Sequence, residues 1–240
     1  MPPKRPKRFL HNPSSHSRLR RRWRRWLPSM KNDLSILLGK REIFWELQEV
    51  AQENQRILRH GSFFNWMCTN YIAAVSMEVR RFQDSSRDVR SLWRLLYEIY
   101  ENPGVINRRS NRCLYRGVTI DPSFDIANLS FNNVVGKNKD VLPQRDVLKD
   151  LRELEISSDR IRRFVNKRIA HRTPLGELRR LPIFNELDHS MDTIDRIFCK
   201  YNLLLTAEGT ESMSATRQYD WMEVLHEAWV MPGSKFRFDV

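Results

Sequence analysis

PQRDVLKDLRELEISSDRIRRFVNKRIAHRTP, running from Pro143 to Pro174, is the stretch that decides the fold of this chain. Its apolar residues Val147, Leu148, Leu151, Leu154, Ile161, Phe164, Val165 and Ile169 recur at the spacing of one helix face. Pro143 suits the opening of a helix, and Thr173-Pro174 breaks one. The pattern predicts a helix from Pro143 to about residue 170, with Ile156-Ser157-Ser158 as a candidate kink. His171 then stands at the helix end. Such a position fixes a side chain while leaving it open to a ligand. Histidine is also the side chain whose unperturbed pKa lies nearest neutrality. Arg162, Arg163, Lys167, Arg168 and Arg172 surround it in sequence. A site so rich in cations suits a phosphodiester better than a metal or a neutral metabolite.

Working outward, the same helical period recurs. Residues 40–59 carry Ile43, Phe44, Leu47, Val50, Ile57 and Leu58 on a broad stripe, and His60-Gly61-Ser62 reads as a stop followed by an N-cap. A second helix is predicted over 62–83, with Phe63, Met67, Tyr71, Ala74, Val75 and Phe82 inward, and a third over 87–101, ending before Pro103-Gly104. Pro182 opens another to about 206, and Trp221, Leu225 and Trp229 suggest a last helix over 217–230. Residues 103–142 show no sustained period and read as a long loop, with a short strand at Leu114–Ile120 as an option. The expected fold class is all-α: an antiparallel helical bundle over 32–210, with a loop insertion at 103–142 and an extra C-terminal helix in 211–240.

Charge separates a tail from this body. The net charge is +13, but residues 1–31 carry eleven Lys or Arg and no acid. The other 209 residues hold the remaining 31 basic residues and all 29 acids, which leaves +2. Residues 1–31 are expected to be a disordered basic leader. Their Arg/Trp content also fits an arm that binds nucleic acid or anionic lipid, or an organellar transit peptide. Cys68, Cys113 and Cys199 lie far apart with no CxxC rhythm, so free thiols in a reducing, cytoplasmic setting are expected. No apolar run is long enough to span a bilayer. His189 and His226 have no HExxH setting, and no Gly-rich phosphate loop exists, so neither a metal nor a cofactor is expected.

Val165-Asn-Lys-Arg-Ile-Ala-His171-Arg172 resembles the signature of HEPN domains, in which an arginine precedes a histidine by a short spacer. Three companion stretches are similar to the AbiU-like, abortive-infection branch: Met77–Asp84 followed by Ser91-Leu92, Leu181–Leu187, and Lys200–Leu205. The likeness covers about residues 40–206. It implies an all-helical domain that dimerises and acts on RNA as a metal-independent endoribonuclease. Phage defence or a toxin–antitoxin pair, with an antitoxin protein as partner, is the implied setting. In that chemistry the ribose 2′-hydroxyl attacks the adjacent phosphate while His171 moves the proton and a nearby cation stabilises the phosphorane.

The family arginine stands five to seven residues before the histidine. Here those positions are Asn166, Val165 and Phe164, and Arg163 is eight back. Lys167 and Arg168 are the candidate substitutes, on roughly the same α-helical face as His171. A degenerate module that binds RNA, a nucleotide or a partner protein without cleavage is the alternative. The tyrosine that some HEPN toxins carry two residues after the histidine is here Thr173. The candidate catalytic set is thus His171, Asn166, Lys167, Arg168 and Arg163. Arg162, Arg172, Arg80 and Arg81 are candidate RNA contacts, and Asp84 is a supporting residue. Arg80 and Asp84, at i and i+4, read either as a surface pair or as a network that positions the His helix. Asp188, Asp192 and Asp195 read as a solvated acidic face, and Trp66, Trp93, Trp221 and Trp229 as core or dimer-interface residues.

Overall fold

The computed structural model describes residues 13–54, 56–59, 61–117, 125–170, 182–216, 219–227 and 229. Helix α1 spans Pro13–Glu53, α2 Arg56–Arg59, α3 Ser62–Phe82 and α4 Leu92–Glu101. Short α5 (Arg108–Arg112) and α6 (Ile126–Val135) precede α7 (Gln144–Phe164), which continues as a π-helical run, Val165–Ala170. Helix α8 spans Phe184–Thr206 and the single turn α9 Glu223–His226. No strand occurs among the described residues, only one isolated bridge between Asn107 and Val141.

Cross-links between helices fix an antiparallel bundle. Arg24 of α1 donates from Nε to the Leu205 carbonyl near the end of α8 (2.6 Å), whereas Trp45 Nε1 donates to Asp188 near its start (3.1 Å). Helix α3 runs against α1 in the same manner, with Arg81 3.6 Å from Asp33 and Gln48 3.7 Å from Cys68. It also runs against α7: Gln83 Nε2 donates to the Leu154 carbonyl at 2.6 Å. The core is continuous. Leu151, Leu154 and Ile161 of α7 and Val165 of the π-helical run share one buried cluster with Leu187, Met191, Ile194, Ile197, Phe198 and Tyr201 of α8.

The leader is the clearest correction to the expectation. From Pro13 onward it is helix, and Trp23, Leu27 and Met30 are buried in the core beside Leu34, Leu37 and Leu38. Those residues repeat at three- and four-residue intervals, so the segment has an apolar stripe that its arginine-rich composition conceals. Trp23 Nε1 donates to the buried Glu98 carboxylate of α4 at 2.8 Å. Pro28 interrupts the ladder on the exposed side of the helix, away from this stripe.

The predicted loop is corrected too. Asn107 caps α5 through a reciprocal box with Ser110, and Asp125 caps α6. The Arg108 guanidinium joins the pieces: it donates to Asn128 (3.0 Å), Asn132 (2.9 Å) and the Lys139 carbonyl (2.7 Å), over the Phe131 ring. Polar residues thus do the work that apolar periodicity does elsewhere. Leu114 and Tyr115, at the start of the optional strand, belong to a 3-10 turn, Cys113–Tyr115; residues 118–120 lie outside the described residues. The C-terminal extension is held by Asp195, which accepts from Ser212 Oγ (2.5 Å) and the Met213 amide (2.9 Å). Only one turn of its predicted helix, Glu223–His226, occurs among the described residues. Ala207, in the left-handed region at φ 66°, ends α8.

Candidate functional site

The site grows from the end of α7. There the backbone leaves α geometry, and Val165–Ala170 adopts i→i+5 pairing. Runs of this kind are costly, rare and often found at functional sites.

One side chain on α3 grips this run. Arg80 Nε donates to Asn166 Oδ1 at 2.9 Å, across 86 residues of sequence. Arg80 Nη1 lies 3.5 Å from Asp84 Oδ2, so one guanidinium spans both groups. Burial pushes the Asp84 carboxyl upward, but hydrogen bonds from Ser86 and the Arg80 charge outweigh it and hold the pKa below the usual carboxylate value. Of the two readings of Arg80 and Asp84, the geometry is that of a network: the Arg80 side chain is 36% exposed, and its partner Asn166 is half-buried. Nothing in the sequence signals that Arg80 would meet Asn166.

The other candidates disperse. Arg162 Nη2 donates to Asp159 at 2.7 Å, and Arg163 Nε donates to the same carboxylate at 2.8 Å. These bonds, led by Arg163, hold the Asp159 pKa below the usual carboxylate range. Both arginines are thus engaged on α7 itself. Asp159 is a residue the sequence reading missed, although its i+3 and i+4 spacing to two arginines is the ordinary signal of such a pair. Arg81 turns toward Asp33 and lines a cavity of about 480 Å³ with Glu78, Asp84, Asp88 and Arg90. Arg162 lines a different one, of about 520 Å³, with Gln83, Trp93, Glu155 and Asp159. Lys167 is half-buried and has an interaction of its own. His171 and Arg172 lie outside the described residues, as does the side chain of Arg168.

Aromatic residues pack beside the start of α8. Phe44 stacks on Tyr71 with centroids 3.8 Å apart, and Phe184 lies 5.0 Å from Phe44. Burial raises the Tyr71 pKa and, close by, that of Asp188. The acidic face resolves into separate structural roles: Asp188 accepts from Trp45, Asp192 pairs with Arg41, and Asp195 is buried against the C-terminal segment. Asp195 is therefore not solvated. Trp66 and Trp229, 61% and 63% exposed, are not core residues. Trp93 and Trp221 are half-buried, and their indole N–H groups donate to Glu155 and Glu46.

Among the described residues no group of three or more His, Cys, Asp or Glu is placed to hold a metal ion, and no helix is long and apolar enough to cross a membrane. Comparison with protein-family models, with curated proteins and with solved structures finds no match for this chain.

Proposed function

We propose that this chain is a HEPN-type protein that acts on RNA, cutting it without a metal through His171, in phage defence or as the toxin of a toxin–antitoxin pair. The observation that carries the reading is the Arg80–Asn166 bond. It ties the π-helical run to α3 five residues before His171, at a place where the resemblance implies a guanidinium. In this reading Arg80 supplies that guanidinium from another helix. The reading requires the His171 imidazole to reach the phosphate that Arg80 holds. His171 takes the 2′-hydroxyl proton, or gives one to the leaving oxygen. The Arg80 charge, held by Asp84 and Asn166, offsets the negative charge that builds on the phosphorane. A homodimer would bring two such sites together.

A second reading rests on a specific observation. Arg162 and Arg163 are both engaged by Asp159, which leaves fewer cations for a transition state. It makes the chain a module that binds RNA, a nucleotide or a partner protein without cutting. One experiment separates the two: incubation of labelled RNA with the full chain and with His171→Ala in EDTA. Scission by the native chain, lost in a variant with an unchanged circular dichroism spectrum, supports the nuclease reading. Cleavage that survives the substitution overturns it. Saturable binding with no scission by the native chain favours the second reading.

A further inference from the structure

Six arginines fall between Arg18 and Arg25 of α1, and the structure divides them. Arg20 Nη1 donates to the Val105 carbonyl at 2.9 Å and Arg24 Nε to the Leu205 carbonyl at 2.6 Å, so these two tie α1 to the bundle. Arg22 pairs with Glu98 and lies 5.6 Å from the Trp26 ring centroid. Arg18, Arg21 and Arg25 differ: all three are exposed, and none has a hydrogen bond or ion pair with a described residue. Their i, i+3, i+7 spacing puts them on one face, opposite Trp23, Leu27 and Met30. At 1.5 Å of rise per residue the row is about 10 Å long.

This row works against the helix that carries it. Like charges three and four residues apart repel. No acid lies in α1 before Asp33 to relieve this repulsion. A bound polyanion reverses it. We infer that Arg18, Arg21 and Arg25 form a docking surface for the sugar-phosphate backbone of RNA, read by charge and not by sequence. Anionic lipid is the poorer fit. A helix lying in a membrane interface needs an exposed apolar face, and the apolar face of this segment is already spent in the core, with Trp23, Leu27 and Met30 at most 2% exposed.

The inference rests on the RNA reading and is tested apart from cleavage. A fluorescent 30-nucleotide oligouridine is titrated with the full chain and with a variant carrying Arg18→Gln, Arg21→Gln and Arg25→Gln, in EDTA, across potassium chloride concentrations. Three lost phosphate contacts on a single strand should lower the slope of log affinity against log salt by about 2. Replacing the same three residues by Lys keeps the charge and should keep the slope, which a merely structural role would not do. Equal affinity and slope in the native and Gln chains overturn the inference while leaving the RNA reading intact. So does an arginine-dependent binding to phosphatidylserine vesicles with RNA affinity unmoved. Arginine-dependent RNA binding by a chain that never cuts supports the inference and counts against the nuclease alone.

Discussion

Trp23→Ala tests the part of the fold that the composition hides. The side chain is 0% exposed in α1, and its indole N–H donates to the buried Glu98 carboxylate. Burying an indole removes roughly 150–250 Å² from water, which at about 25 cal/mol/Å² is an upper bound of about 4–6 kcal/mol. Measured truncations of this kind cost about 3–5 kcal/mol, because the neighbours collapse only in part. Glu98 keeps Arg22 and Arg94 as partners, so the lost N–H donor adds about 1 kcal/mol at most. Trp23→Phe separates the two contributions: it retains most of the apolar area and should cost about 1–2 kcal/mol. Arg21→Ala, two residues away and exposed, should change stability by less than about 0.5 kcal/mol. The assay is urea unfolding followed by far-ultraviolet circular dichroism, which does not depend on the fluorophore removed. A loss below about 1 kcal/mol for Trp23→Ala would mean that residues 13–31 are not integral to the bundle, and the reasoning would fail.

Two further outcomes are expected. Arg80→Ala and Asn166→Ala should each destabilise modestly and, combined, cost less than their sum, with a coupling of about 1 kcal/mol in urea unfolding; strict additivity would deny the contact. Asp84 and Asp159 both have depressed pKa values, so their contribution is complete above the ordinary value of 3.8 and is lost as the pH falls through the folded values. Asp188, raised by burial, acts with the opposite sign and regains stability on acidification. Chemical unfolding measured from about pH 6 to pH 2 should therefore show Asp84→Asn losing less stability than the native chain on acidification, and identical profiles would contradict the assignment.

How much of this was legible in the sequence varies along the chain for physical reasons. Helix α3 begins at Ser62, one residue after Gly61, as predicted, and α8 follows Pro182 and runs to Thr206, because each carries a sustained period that a strong breaker opens. Helix α4 starts at Leu92, five residues later than predicted, because Ser91 caps it by accepting from the Arg94 amide. Residues 13–31 were hidden because seven Lys or Arg, counted by composition, mask five apolar residues that matter by position: Leu19, Trp23, Trp26, Leu27 and Met30. The segment 103–142 was hidden because Asn107, Arg108 and Asn132 organise it through polar contacts that carry no period. At the site, periodicity identified the α7 end but not its π-helical form. The i, i+4 pattern singles out Arg80 with Asp84, but its partner Asn166 lies 86 residues away, and no local pattern pairs the two.

Metal-independent transesterification through the ribose 2′-hydroxyl, the chemistry proposed for His171, is read from the ends of its products. An RNA strand and the same strand with deoxyribose at every position are incubated with the native chain in EDTA, and the product ends are identified by mass spectrometry. Only the RNA should be cut, leaving a 2′,3′-cyclic phosphate on one fragment and a free 5′-hydroxyl on the other. Scission of the deoxy strand, scission that needs an added divalent ion, or a 5′-phosphate on the products would contradict it.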